Sequence, residues 1–184
     1  MKLVILDRDG VINHDSDQYI KSVDEWIPID GSLNAIAKLN KAGFRVGVAT
    51  NQSGIARGYY GEDTLHVMHD KMFELLQVQG GRVDQLRFCP HGPDDDCLCR
   101  KPKAGMLLDI MSVESIDAAE TIFVGDTIGD QKAAASAGVE FALVKTGKGQ
   151  RTLQAHPEIF AGTPVYENLA AFAAELIAKE SSNG

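Results

Sequence analysis

The chain opens on Leu3-Val4-Ile5-Leu6, and Asp7-Arg8-Asp9-Gly10 follows at once. Four consecutive aliphatic residues, two of them β-branched, read as a short strand buried on both faces, as in a parallel sheet covered by helices. Such a sheet binds its ligands at the carboxyl ends of its strands. Here that end carries two carboxylates. Alternation along an extended segment puts Asp7 and Asp9 on one side and Arg8 on the other. Gly10 then permits a sharp turn. Two carboxylates this close repel unless a cation or a shared proton relieves them. In isolation an Asp-Gly segment is also an ordinary solvated turn, so the reading depends on what the other strand ends carry.

Phe44 to Ala49 is a second apolar run, ending in Thr50-Asn51-Gln52-Ser53-Gly54. Val83 to Phe88 is a third, Thr121 to Val124 a fourth that runs into Gly125-Asp126-Thr127-Ile128-Gly129-Asp130, and Phe141 to Val144 a fifth. Pro164 to Tyr166 reads as a small edge strand. Helical stripes lie between them. Leu33, Ile36, Ala37 and Leu39 follow a start at Asp30-Gly31-Ser32 and precede a stop at Gly43. Leu65, Met68, Met72, Leu75 and Leu76 mark a long helix over Glu62 to Gln79 whose stripe is core. Gly105 to Met111 begins another, Lys132 to Ala137 is short, and Leu169 to Ala178 closes the chain. Strands alternating with helices predict an α/β fold: a Rossmann-like, three-layer, doubly wound, mostly parallel sheet with right-handed crossovers.

Several segments carry weaker signals. Asn13 to Asp24 has no regular pattern, and Trp26 to Ile29 is apolar enough to pack back on the domain. Thr146-Gly147-Lys148-Gly149 lacks the upstream glycine and the hydroxyl of a P-loop and reads as a flexible loop. His66 and His69, at i and i+3 on the long helix, read as a solvated or half-packed pair rather than metal ligands. Residues 180–184 are expected to fray. With no repeat, linker or room for a cap domain, the chain is expected to be a single domain over 1–184.

At 184 residues, with 44% hydrophobic and 24% charged residues, the chain can bury a sizeable core. Its net charge of −8 repels nucleic acid but not a small anion that feels only its local site. No apolar run reaches membrane-spanning length, and the N-terminal run is too short for a signal peptide. A cytoplasmic monomer is the expectation. All three cysteines lie between Cys89 and Cys99. An odd number beside a histidine suits metal ligation better than disulfides. Cys89, His91, Cys97 and Cys99 form the closed four-ligand set of a structural zinc site, a zinc loop over 89–99. The one-residue spacing within each pair is tighter than usual, and three free thiols in a loop is the plain alternative. Zinc there would rigidify the segment carrying Arg100 and Lys101.

If the sheet is parallel, its strand ends bring Asp7, Asp9, Thr50, Asn51, Lys101, Asp126 and Asp130 to one edge. The acids suit a hard cation such as Mg²⁺. The lysine and backbone N–H groups suit a phosphoryl group.

Those same residues resemble the four motifs of the haloacid dehalogenase (HAD) superfamily of phosphatases: Asp7-Arg8-Asp9-Gly10, Thr50-Asn51, Lys101, and Gly125-Asp126-Thr127-x-x-Asp130. More closely, three segments resemble the D-glycero-D-manno-heptose 1,7-bisphosphate 7-phosphatase branch. They are Asp9-Gly10-Val11-Ile12-Asn13, Thr50 to Gly58, and Cys89-Pro90-His91…Cys97-x-Cys99-Arg100-Lys101-Pro102. A phosphatase domain acting on histidinol phosphate shares the zinc loop and is the nearest rival. Thr127 stands where that branch is expected to have lysine, and the spacer from His91 to Cys97 is short.

The resemblance implies a small phosphorylated sugar as substrate, in nucleotide-activated heptose biosynthesis for lipopolysaccharide core or surface glycan. It implies Asp7 as nucleophile, forming an aspartyl-phosphate, and Asp9 as general acid–base with a raised pKa. Mg²⁺ would be held by Asp7, the Asp9 carbonyl and Asp126, with Asp130 supporting. Thr50, Asn51 and Lys101 would hold the transferring oxygens, with Gln52 and Ser53 beside them. Arg57 and Arg100 suit a second phosphate, unless both are solvated surface charges. A binding module on an inactive HAD fold would lack the catalytic acids, which are present. A phosphotransferase or mutase would need a cap, for which there is no room.

Overall fold

The computed structural model describes residues 1–183. Its centre is a six-stranded, wholly parallel sheet in the order β3-β2-β1-β4-β5-β6. The strands are β1 (Leu3–Leu6), β2 (Arg45–Asn51), β3 (Gln85–Cys89), β4 (Thr121–Gly125), β5 (Glu140–Val144) and β6 (Val165–Tyr166). The helices are α1 (Ser32–Lys41), α2 (Glu62–Val78), α3 (Gly105–Glu114), α4 (Ile128–Ala137), α5 (Gly149–Ala155) and α6 (Leu169–Asn183).

Strand alternation sorts the core into two layers. Val4 and Leu6 pack with Leu33, Ile36, Met68, Met72 and Phe172 of α1, α2 and α6. Leu3 and Ile5 face the other way, onto Met106, Leu107 and Ile110 of α3 and Ala133 and Ala134 of α4. Every side chain of β1 is therefore buried, as its unbroken aliphatic run requires. Leu6 lies level with Val48 of β2 and Val124 of β4. The register thus brings Asp7, Thr50 and Asp126 to one edge, where the strand order reverses direction about β1.

Four expectations need correction. Thr146 to Gly149 is not a flexible loop: it turns through Gly147 into α5, with Thr146 bonded to Gly10 and Lys148 to Asp126. Helix α4 starts at Ile128, four residues early, so Asp130 lies in its first turn. His69 is buried while His66 is exposed, so they are not a pair. Residues 180–183, expected to fray, continue α6, with the Ser181 and Ser182 hydroxyls each donating one turn back. Gly184 lies outside the described residues. The irregular segment after Asn13 is pinned by buried Ile20, Trp26 and Ile29. Lys71 of α2 donates to the carbonyls of Val23 and Trp26 at 2.9 and 2.6 Å. Among the described residues no helix is long and apolar enough to cross a membrane.

Candidate active site

The chain after β1 does not stay extended. The amides of Val11, Ile12 and Asn13 all point back to the Arg8 carbonyl, closing a tight turn at Gly10. Gly10 has φ +89°, and a Cβ there would strike the Asp126 carboxylate. Only glycine lets the two strand ends approach this closely. The 146–155 segment braces the same spot. Thr146 Oγ1 donates to the Gly10 carbonyl at 2.6 Å, the Lys148 amide to Asp126 Oδ2 at 2.8 Å, and Thr152 Oγ1 to the Asp126 carbonyl at 2.9 Å.

A cleft of about 400 Å³ opens at this edge, lined by Asp7, Asp9, Thr50, Asn51, Gln52, Ser53, Arg57, Arg100, Lys101, Asp126 and Asp130. The residues expected from the strand ends therefore share one cavity. Asp7, Asp126 and Asp130 each offer an oxygen within 4.8 Å of the others. Lys101, 5% exposed, reaches Asp7 Oδ1 at 2.9 Å, Asp130 Oδ1 at 2.7 Å and the Ala49 carbonyl at 2.9 Å. All three of its protons are engaged. Burial opposes its charge, but Asp130 and Asp7 more than offset this, and its pKa lies above the usual lysine range.

One lysine does not balance three buried carboxylates. Burial, followed by the Asp130 charge, pushes Asp7 up to about 7. Burial and the Asp7 charge push Asp126 well above the usual carboxylate range. Asp126 Oδ1 is buried with no hydrogen-bond partner. An unpartnered carboxylate oxygen facing a surplus of negative charge fits a hard divalent cation, which takes oxygen ligands and relieves both. Asp130 Oδ2 is already engaged by the amides of Asp126 and Thr127 and by Thr127 Oγ1, at 2.8–3.2 Å. Thr127 and Asp130 form a reciprocal capping box on α4. That accounts for a threonine at this position: it fixes the helix that carries Asp130.

Asp9 sits in contrasting surroundings. Its Oδ1 accepts from Arg8 Nε at 2.9 Å and from Asn13 Nδ2 at 2.8 Å, with Arg8 Nη2 an ion-pair contact at 2.8 Å, and Oδ2 accepts from Gln52 Nε2 at 3.3 Å. Burial raises its pKa, but the Arg8 guanidinium and these donors more than offset it, so Asp9 lies below the usual carboxylate range. This corrects the expected upward shift. Arg8 is also not on the far side: the turn folds its fully buried guanidinium back under Asp9.

The 50–53 segment is internally bonded. Gln52 Nε2 donates to Thr50 Oγ1 at 2.8 Å, and the Tyr60 hydroxyl donates to Gln52 Oε1 at 2.5 Å. Asn51 is committed to the backbone of Lys101, its Nδ2 donating to that carbonyl and its Oδ1 accepting from that amide, both at 3.0 Å. It clamps the backbone of the lysine from the wall of the cleft. Arg57 lies 5.5 Å from the centre of the Tyr19 ring, and Arg100 Nη1 donates to the His91 carbonyl at 3.2 Å. Sequence reasoning missed Arg8, Asp15, Tyr19, Tyr60 and Lys148. Only Arg8, a charge inside a strand-end motif, carried a usable signal.

Cys89, His91, Cys97 and Cys99 also come together. Cys89 Sγ lies 3.4 Å from His91 Nδ1, 3.9 Å from Cys97 Sγ and 3.0 Å from Cys99 Sγ, and His91 Nδ1 lies 3.3 Å from Cys99 Sγ. A tetrahedral zinc with bonds of ~2.0–2.3 Å needs ligand separations of about 3.3–3.8 Å. All four ligand atoms lie within 4.8 Å of one another, so the side chains can close on that ion once the 3.0 Å Cys89–Cys99 separation opens to reach it.

The HAD-hydrolase-like family model matches residues 98–172. A D-glycero-β-D-manno-heptose-1,7-bisphosphate 7-phosphatase of Pseudomonas putida is 56% identical over 178 residues, 96% of this chain and 100% of that protein. The enzyme of the same name from Pseudomonas aeruginosa is 56% identical over 95% of this chain and 97% of its own. The crystal structure of the D,D-heptose 1,7-bisphosphate phosphatase of Bordetella bronchiseptica, complexed with magnesium and phosphate, superposes with a TM-score of 0.93. It is 52% identical and covers 97% of this chain and 99% of that one. Identity at this level over nearly the full length of both chains joins what the strand ends already indicate: the chain belongs to the D-glycero-β-D-manno-heptose-1,7-bisphosphate 7-phosphatase family within the HAD superfamily.

Proposed function

We propose that the protein is a Mg²⁺-dependent phosphatase that removes the C7 phosphate of D-glycero-β-D-manno-heptose 1,7-bisphosphate, and that one HAD-like domain over 1–184 carries the whole apparatus. The observation that carries this reading is the cleft itself. An under-compensated set of buried acids meets a buried lysine there, in a chain 56% identical to enzymes of that name. Asp7, the Asp9 carbonyl and Asp126 would hold Mg²⁺, with Asp130 supporting. Bound there, the ion offsets repulsion between an anionic nucleophile and an anionic phosphate.

The chain's own residues supply the remainder. A carboxylate oxygen of Asp7 attacks phosphorus, and a new P–O bond forms as the bond to the sugar oxygen breaks. Asp9 gives its proton to that departing oxygen. It then takes a proton from the water that attacks the phosphoryl group on Asp7, which frees inorganic phosphate and restores the carboxylate. Asp9 is held below the usual carboxylate range before substrate arrives. A phosphate dianion entering beside it raises its proton affinity, as any neighbouring like charge does. Lys101 and Thr50 stand beside the position of the transferring oxygens, and Asn51 keeps Lys101 in place. Gln52 and Ser53 complete that wall.

Arg57 and Arg100 line the cleft with no ion-pair partner among the described residues, and they take the second phosphate. Cys89, His91, Cys97 and Cys99 hold a structural zinc that fixes the approach to Lys101. We place the enzyme in the cytoplasm as a monomer, with neither nucleic acid nor membrane as partner, a reading supported by its three cysteines outside any disulfide and its net charge of −8.

The test is Mg²⁺-dependent phosphate release from the heptose bisphosphate and from histidinol phosphate, side by side, as kcat/KM. A preference of at least tenfold for the bisphosphate is expected, equivalent to ~1.4 kcal/mol. Arg57→Ala and Arg100→Ala should erode it by raising KM for the bisphosphate more than for a monophosphate. Preference for histidinol phosphate overturns the substrate assignment.

A further inference from the structure

The reaction needs Asp9, but its neighbours include two residues that the reaction does not use. Arg8 is fully buried and is fixed on three sides. Its Nε and Nη2 both reach Asp9 Oδ1, at 2.9 and 2.8 Å. Its Nη1 lies 3.1 Å from Nε2 of His69, on α2. His69 is itself only 3% exposed, with its ring 6.5 Å from that of Phe88. A guanidinium is always protonated and can only donate. His69 Nε2 must therefore accept, which assigns its proton to Nδ1 and makes it a neutral ring. Burial, and then the Arg8 charge, hold it in that state by lowering its pKa to about 3.

The consequence is an asymmetry between the two oxygens of Asp9. Oδ1 accepts two hydrogen bonds at 2.8–2.9 Å, from Arg8 Nε and Asn13 Nδ2, and Arg8 Nη2 lies 2.8 Å away as a further ion-pair contact. Oδ2 takes one long bond, 3.3 Å from Gln52. A carboxylate oxygen has two lone pairs, so one that already accepts two hydrogen bonds has none left for a proton. We propose that His69 and Arg8 are positioning residues for Asp9: they lock Oδ1 and leave Oδ2 as the oxygen that carries the transferred proton. His69 acts through Arg8 and touches neither substrate nor metal ligands. Its part is to give Nη1 an acceptor, so that the guanidinium keeps one orientation, with Nε donating to Oδ1 and Nη2 held beside it. The proposal rests on Asp9 being the general acid.

The test separates acid catalysis from packing by changing the leaving group. A sugar phosphate expels an alkoxide, which needs the proton from Asp9. p-Nitrophenyl phosphate expels a stabilised phenolate, which does not. The value kcat/KM reports steps through departure of the leaving group. Asp9→Asn is the reference, expected to lose ~10²–10⁴-fold on the heptose bisphosphate and far less on the aryl ester. His69→Leu is expected to lose about tenfold on the bisphosphate and less than about twofold on the aryl ester, since it misplaces the acid without removing it. His69→Gln, whose amide oxygen can accept from Arg8 Nη1, is expected to recover most of that loss. Equal losses of His69→Leu on both substrates, or no loss on either, overturn the proposal while Asp9→Asn keeps its selectivity. An Asp9→Asn protein that treats the two substrates alike overturns the acid assignment and the proposal with it.

Discussion

Asp7 and Asp9 leave the same strand two residues apart, and their surroundings drive them in opposite directions. Asp9 has a private cation: Arg8 neutralises it, and Asn13 and Gln52 complete its hydrogen bonds. The charge of its corner is balanced by the chain alone. Asp7 shares one lysine with Asp130 and lies beside Asp126, whose Oδ1 has no partner. Its corner is left with negative charge that the chain does not compensate. A protein can bury a carboxylate in either way, but only the second creates an appetite for a metal ion. The difference lies in where the cation comes from. Arg8 is local to the turn, whereas Lys101 comes from a loop 94 positions away from Asp7 and is held by Asn51.

The comparison can be broken at either corner. The largest effect is expected at the nucleophile. Asp7→Asn should cost turnover on the order of 10⁴-fold or more while leaving the circular dichroism spectrum unchanged. An active, well-folded Asp7→Asn protein removes the nucleophile assignment. Next is the metal. By calorimetric titration, Asp126→Asn should weaken Mg²⁺ binding by at least ~100-fold, beyond what loss of an outer partner usually costs. Asp9→Asn, which keeps the backbone carbonyl, should change it little. Equal losses would mean that the two corners do not differ as described.

A smaller effect is expected behind Lys101. Stripping the zinc, or Cys97→Ser, should lower kcat/KM by about tenfold and Tm by a few degrees, at roughly 2–4 °C per kcal/mol for a chain of this size. Activity unchanged by metal loss would uncouple the cluster from Lys101. The smallest concerns pH. His69 has a folded pKa of about 3, against an ordinary value of 6.5. The unfolded chain therefore binds a proton that the folded one refuses, and stability falls as pH drops from about 6.5 toward about 3. In His69→Gln this acid-side fall in Tm should be shallower. An unchanged slope would show that His69 is not buried neutral.

The strand ends were readable because an aliphatic run followed by acids has few folded meanings: Leu3 to Asp7 and Thr121 to Asp126 fell where expected. The Cys/His set was readable because no other cysteine competes with it. Arg8 was misplaced because alternation holds only while the backbone stays extended, and the turn at Gly10 ends it one residue later. The segment 146–155 was missed because its helix is short and begins on glycine. Its value is tertiary, in the contacts of Thr146, Lys148 and Thr152 with Gly10 and Asp126. The wall formed by Asp15 to Tyr19 has no periodicity to read. Burial of Ile20 and Trp26 and the bonds from Lys71 hold it in place. Asn51 was placed at the cleft correctly, but which way its amide is spent depends on a loop 50 residues on.

The decisive question is which phosphate leaves. Phosphorus NMR of a reaction on D-glycero-β-D-manno-heptose 1,7-bisphosphate with Mg²⁺ resolves the C1 and C7 esters from inorganic phosphate. Loss of the C7 signal with the C1 signal retained, dependent on Mg²⁺ and absent in Asp7→Asn, is the predicted result. Loss of the C1 ester, or no release from a substrate that binds, contradicts the account.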